Sequence, residues 1–143
     1  MLRTAKLATL GLLLMLAGCN GTRLQTGGYF LFWELPQQQR PVQVRAGVAA
    51  LERDVVIETV NWESQHLPLK GRMRGGRIKV DSLGSRGPHV EGIELSGKIL
   101  SQAEAEGQFE YTRNGQQVME GDWRLVHQEL YRRRMSARRS PEN

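Results

Sequence analysis

The stretch IELSGKILSQAEAEGQFEYTRNGQQVMEGDWRL, Ile93 to Leu125, decides the fold. Ile93, Leu95, Gly97 and Ile99 alternate with Glu94, Ser96 and Lys98. Ala105, Gly107, Phe109 and Tyr111 alternate with Glu104, Glu106, Gln108 and Glu110. Met119, Gly121, Trp123 and Leu125 alternate with Glu120, Asp122 and Arg124. A period of two puts successive side chains on opposite faces of an extended strand, so each run has one apolar and one polar face. Three such runs in a row, joined by short polar links, predict consecutive antiparallel strands. A two-residue turn at Asn114-Gly115 would set Phe109 opposite Glu120 and mix the faces. A three-residue loop, Arg113-Asn114-Gly115, keeps them apart and sets Phe109 opposite Met119, Ala105 opposite Trp123, Glu104 opposite Arg124 and Glu106 opposite Asp122.

The same pattern extends upstream. Leu69, Gly71 and Met73 share a face, and Gly75-Gly76 is a two-residue turn. Pairing across it sets Met73 opposite Ile78, Gly71 opposite Val80 and Arg72 opposite Lys79, with Arg74 diagonal to Arg77. Val42, Val44, Ala46 and Val48 line one face of another run. Val55 to Trp62 and Tyr29 to Leu35 are apolar on both faces. The fold class expected is all-β: an antiparallel meander of about eight strands, closed as a small barrel or folded as a two-sheet sandwich. From His127 to Arg139 the pattern changes to a short C-terminal helix or basic tail, with Leu130 and Met135 touching the domain.

The chain has 143 residues, a formal net charge of +5 and a single cysteine, Cys19. That is one domain's length. The first residues have a different composition. Arg3 and Lys6 precede an apolar run from Leu7 to Leu16, which is shorter than the roughly 20 residues a bilayer-spanning helix needs. Leu16-Ala17-Gly18-Cys19 closes it. This tetrapeptide, with its apolar and basic flanks, resembles the lipobox of bacterial lipoproteins. The resemblance covers about the first 20 residues and identifies no family for the rest of the chain. It implies cleavage before Cys19, acylation of that cysteine with chains such as palmitate, and a membrane held through it. Asn20 in place of an aspartate implies the cell outer membrane, on a periplasm-facing anchor, over the inner membrane. The expected divisions are 1–18 signal peptide, 19–27 lipidated cysteine and flexible tether, 28–127 β-rich domain and 128–143 basic helix or tail. Removal of 1–18 leaves 125 residues and a net charge of +3. With its one thiol acylated, the chain has no disulfide available, and an exported protein is a poor candidate for a nucleic-acid partner.

No constellation for catalysis stands out. His66, His89 and His127 lack further ligands at metal-site spacing, the serines lack a nucleophile-elbow context, and the stretch from Gly71 to Gly76 lacks the lysine and hydroxyl of a phosphate loop. Glu104, Glu106, Glu110, Glu120 and Asp122 alternate as the solvated face of a hairpin does, so a glycosidase pair is the weaker reading. The expectation is a protein that is not an enzyme and has no cofactor and no metal site. Two features remain. Tyr29, Phe30, Phe32 and Trp33 form a dense aromatic cluster, fit for core packing or for an apolar lining. Lys70, Arg72, Arg74, Arg77 and Lys79 crowd one face of a hairpin, where like charges oppose each other at a cost that an anionic partner would relieve. Anionic lipid, lipopolysaccharide or an envelope protein fits. The function expected is a non-enzymatic, membrane-anchored binding or assembly-support module of the cell envelope. A lipocalin-like carrier of a small apolar ligand is the alternative, on architecture alone.

Overall fold

The computed structural model describes residues 21–59, 68–82 and 91–139. Eight antiparallel strands close into a barrel in the order of the chain: β1 (Gly27–Glu34), β2 (Val42–Leu51), β3 (Asp54–Thr59), β4 (Pro68–Arg74), β5 (Arg77–Ser82), β6 (Glu91–Ser101), β7 (Glu104–Arg113) and β8 (Gln116–His127). One helix, α1 (Gln128–Arg139), follows. Closure is made by β1, which pairs with β2 on one side and with β8 on the other, setting Leu31 opposite both Val44 and Leu125. Closure leaves each strand with a neighbour on both sides and no free edge strand.

The alternating apolar residues point inward and fill the barrel. Tyr29, Leu31, Trp33, Ile57, Leu69, Met73, Val80, Leu95, Phe109, Trp123 and Leu125 are all buried. Each large side chain removed from water contributes roughly 1.5–3 kcal/mol. Trp123 finds room because it faces Gly107, which in turn faces Gly97. A methyl group on Gly107 would stand 1.9 Å from the Ser96 carbonyl oxygen, and one on Gly97 2.0 Å from that of Glu106. The indole N–H of Trp123 points at the carbonyl oxygens of Gln108 (3.0 Å) and Ser96 (3.2 Å). The ring of Trp33 meets that of Phe109 edge-on at 5.0 Å.

The β4–β5 hairpin has the expected pairs Met73–Ile78, Gly71–Val80 and Arg72–Lys79. Arg74 stands directly opposite Arg77, where the sequence pattern predicts a diagonal placement. In β7–β8 the expected three-residue loop is absent. Asn114 and Gly115, with φ of 54° and 76°, form a two-residue turn between the paired Arg113 and Gln116. The face mismatch such a turn creates is repaired within β8. Thr112 pairs with Gln117 and Tyr111 with Met119, leaving Val118 as a bulge. One inserted residue flips the faces as effectively as a longer loop does. Phe109 therefore opposes Gly121, Ala105 opposes Leu125, Glu106 opposes Arg124, Glu104 opposes Val126 and Asp122 opposes Gln108. The unfavourable Glu106–Asp122 pair does not form.

The two-sided apolarity of β1 has a simple cause. Tyr29, Leu31 and Trp33 face the core, and Phe30 and Phe32 face out beneath α1. The Tyr131 ring lies 4.9 Å from Phe30 and 5.7 Å from Phe32, and the Arg124 guanidinium sits 5.3 Å over Phe32. The helix begins with the backbone N–H of Glu129 donating to His127 Nδ1 (3.2 Å). Glu129 in its first turn and Arg138 and Arg139 in its last complement the helix dipole. Arg134 forms a two-point pair with Glu104 of β7.

Candidate functional site

The two ends of the barrel differ. Tight connections, Glu52–Arg53, Gly75–Gly76 and Gln102–Ala103, turn the chain at one end. The longer connections, 35–41, 60–67 and 83–90, leave from the other, which also carries the Asn114–Gly115 turn.

Residues 21–26, expected as part of a flexible tether, are strapped across the tight-turn end. Thr26 exchanges hydrogen bonds with Ala50 of β2: its Oγ1 donates to the carbonyl (3.2 Å) and accepts from the N–H (3.0 Å). The Gln25 N–H donates to the Gln102 carbonyl (2.9 Å). Leu24 is buried and plugs the opening. Beneath it the Tyr29 hydroxyl lies 2.6 Å from the Gln25 carbonyl and 3.0 Å from that of Gln102, and can donate to either. Burial pushes the Tyr29 phenol up to about 12, against a smaller opposing pull from the Gln25 carbonyl. At Gly21 the strap lies on the Gly75–Gly76 turn so closely that a methyl group there would stand 2.2 Å from the Gly76 nitrogen. Cys19 lies outside the described residues.

The five hairpin cations, Lys70, Arg72, Arg74, Arg77 and Lys79, are all exposed on the outer wall. The structure separates them into two groups. Lys70 is cross-strand from Asp81, Arg72 lies 3.7 Å from an Asp54 oxygen, and Lys79 lies 3.3 Å from a Glu94 oxygen. Exposed pairs of this kind contribute little to stability, but they balance charge locally. At the tip, Arg74 opposes Arg77, and Arg77 opposes Lys98 of β6, which on its other side is cross-strand from Glu106 of β7. Among the described residues, none of these three cations has a carboxylate within ion-pair distance. Sequence reasoning does not single out Lys98; its only signal is the β5–β6 register, which no turn residue fixes.

The outer wall also carries the opposite charge, displaced toward the loop end. Asp81 opposes Glu94, Glu94 opposes Glu110, and Glu110 opposes Glu120, so four adjacent strands bear one acidic row. The wall is therefore polarised along the barrel axis, basic at the strap and acidic toward the loops.

Other candidate chemistry does not assemble. Among the described residues, no group of three or more His, Cys, Asp or Glu side chains is placed to hold a metal ion, and no helix is long and apolar enough to cross a membrane. His127 caps α1, while His66 and His89 lie outside the described residues. The Ser82 and Ser101 hydroxyls accept backbone N–H groups of Ile93 and Ala103. The aromatic cluster is divided between the core and the underside of α1. At the loop end a hollow of about 200 Å³ is lined by Trp33, Ile93, Phe109, Tyr111, Arg113, Val118 and Met119. Comparison with protein-family models, with curated proteins and with solved structures gives no match for the chain.

Proposed function

We propose that this protein is a non-enzymatic lipoprotein of the bacterial cell envelope, anchored through Cys19 in the outer membrane on its periplasmic side, whose barrel serves as a binding or assembly-support module. The observation that carries this reading is the course of the strap. Residues 21–26 bring the chain from the barrel to the tip of the basic hairpin, so an anchor at Cys19, two positions before Gly21, would draw the cationic end toward the membrane. The filled barrel suits a support role. The carrier reading draws less support: the interior is occupied by side chains, the hollow lined by Trp33, Phe109 and Met119 is smaller than the roughly 300–1,000 Å³ of ordinary ligand pockets, and the hollows of about 500 Å³ open on the outer surface.

The test is metabolic labelling with a palmitate analogue followed by membrane fractionation. The native chain is expected to carry label and to sediment with the outer membrane. Cys19→Ser is expected to lose both properties. Normal labelling of that variant refutes the reading.

A further inference from the structure

We infer that the anionic partner of the basic tip is the headgroup layer of the very membrane that holds Cys19, so that the barrel stands with its tight-turn end on the bilayer and its loop end away from it. This rests on the lipid-anchor reading above and names the partner of that site. The argument is one of chain length. Gly21 is packed on the Gly75–Gly76 turn, and Cys19 precedes it by two positions. Two extended residues span at most about 7 Å. An acylated Cys19 therefore holds the turn within about that distance of the lipid, and a folded protein does not fit into such a gap. A headgroup layer does, since it adds only about 5–8 Å per leaflet to the hydrocarbon core.

Charge supports the same orientation. Arg74 and Arg77 stand side by side at that end with Lys98 of β6 beyond them; neither arginine has a carboxylate within ion-pair distance among the described residues, while Lys98 is cross-strand from Glu106 of β7. At about 7 Å from a surface they lie inside the Debye length of roughly 8 Å at physiological salt, where anionic headgroups still attract them. Turning the barrel over would bring the acidic row, Asp81 to Glu120, toward the same surface. A protein partner on the tip requires instead a linker long enough to lift the turn off the bilayer, and the packed strap removes that slack.

The experiment uses the full lipidated chain reconstituted into vesicles, either neutral phosphatidylcholine or the same lipid with one part in about three of phosphatidylglycerol. Amide hydrogen exchange is read at residues 74–77 and at the opposite turn, 113–116, and acylation is read by mass on the same sample. Exchange at 74–77 is expected to slow several-fold on the anionic vesicles and to recover in high salt, with 113–116 unchanged. The double variant Arg74→Glu with Arg77→Glu is expected to lose that difference while melting as the native chain does. An acylated chain whose tip exchanges equally on both vesicles, or whose 113–116 turn is the protected one, overturns the tip assignment alone. A chain without acyl mass overturns the anchor reading and this inference together.

Discussion

Arg134 of α1 holds the Glu104 carboxylate at the start of β7 with both arms of its guanidinium, the longer contact being 3.3 Å. The bond keeps the Arg134 guanidinium protonated even above its ordinary range. It also ties the helix to a strand beyond its neighbours β1 and β8. Arg134 is about half exposed, so the pair is worth at most about 1 kcal/mol. A double-mutant cycle of Arg134→Ala with Glu104→Gln, read by urea unfolding, is expected to return a coupling energy of that size. Loss of the pair should also raise exchange along the helix and expose Phe30 and Phe32.

The Tyr29 phenol sets a limit at high pH. Unfolded, it ionises near 10; folded, it holds its proton to about 12. The unfolded state is therefore the first to release the proton as pH rises. The stability this group confers is complete below pH 10 and is lost as pH climbs from 10 to about 12. The two-unit difference corresponds to about 3 kcal/mol. Tyr29→Phe is expected to flatten this alkaline decline. It should also remove the phenol's hydrogen bond at the Gln25 and Gln102 carbonyls, the latter keeping the Gln25 N–H, and loosen the strap at neutral pH by about 1 kcal/mol. Urea midpoints between pH 8 and 12 for the two proteins check both points.

The glycine pair under Trp123 admits no side chain. The Ser96 oxygen lies 1.9 Å from the place a methyl group on Gly107 would take, so Gly107→Ala has to push β6 and β7 apart. A cost of about 3 kcal/mol or more is expected, at the upper end of overpacking. Near-native urea stability of Gly107→Ala would contradict so close an approach of the two strands.

The Val118 bulge yields the opposite expectation. Deleting Val118 lets the Asn114–Gly115 turn and every pair from Tyr111–Met119 onward persist, because the deleted residue is the unpaired one. Its side chain is mostly exposed. The deletion is expected to change stability by less than about 1 kcal/mol, as surface changes commonly do. Deleting Gly121, which faces Phe109 within the ladder, reverses the faces of β8 on one side of the deletion and should cost several times more than deleting Val118. Circular dichroism and urea unfolding of both deletions separate the two cases.

These elements also show what a sequence carries and what it leaves open. The hairpin of Met73 and Ile78 is readable because a single turn, Gly75–Gly76, and the apolar pattern demand the same register. In β7–β8 the pattern demands only that the faces match. That condition is met equally by lengthening the loop at Arg113 or by a bulge at Val118, and no residue type distinguishes them. The inward set is legible from alternation in strands such as β4 to β8 and not in β1 and β3, whose runs are apolar on both faces, whereas closure of β1 on β8 joins residues nearly the whole domain apart and leaves no local mark. Phe30 and Phe32 look surplus until Tyr131 is placed over them, and Tyr131 lies in a segment dominated by arginines. The basic hairpin is plain in the sequence; its division into balanced and unbalanced cations depends on Asp54, Glu94 and Lys98 from neighbouring strands.

The pairing of Tyr29 with His127 and of Trp33 with Trp123 has a kinetic consequence. Strand β1 is the first to be delivered, by a ribosome or through an export channel, and its second neighbour is the last. Until β8 arrives, one edge of β1 and the aromatic rings on both its faces stay uncovered, a state prone to pairing with other chains. Most pairings join neighbouring strands, but closure joins β1 to β8 across nearly the whole domain, the kind of distant contact that forms slowly. The aggregation hazard of this protein thus belongs to the time before closure, and a holding chaperone would be needed for that interval alone.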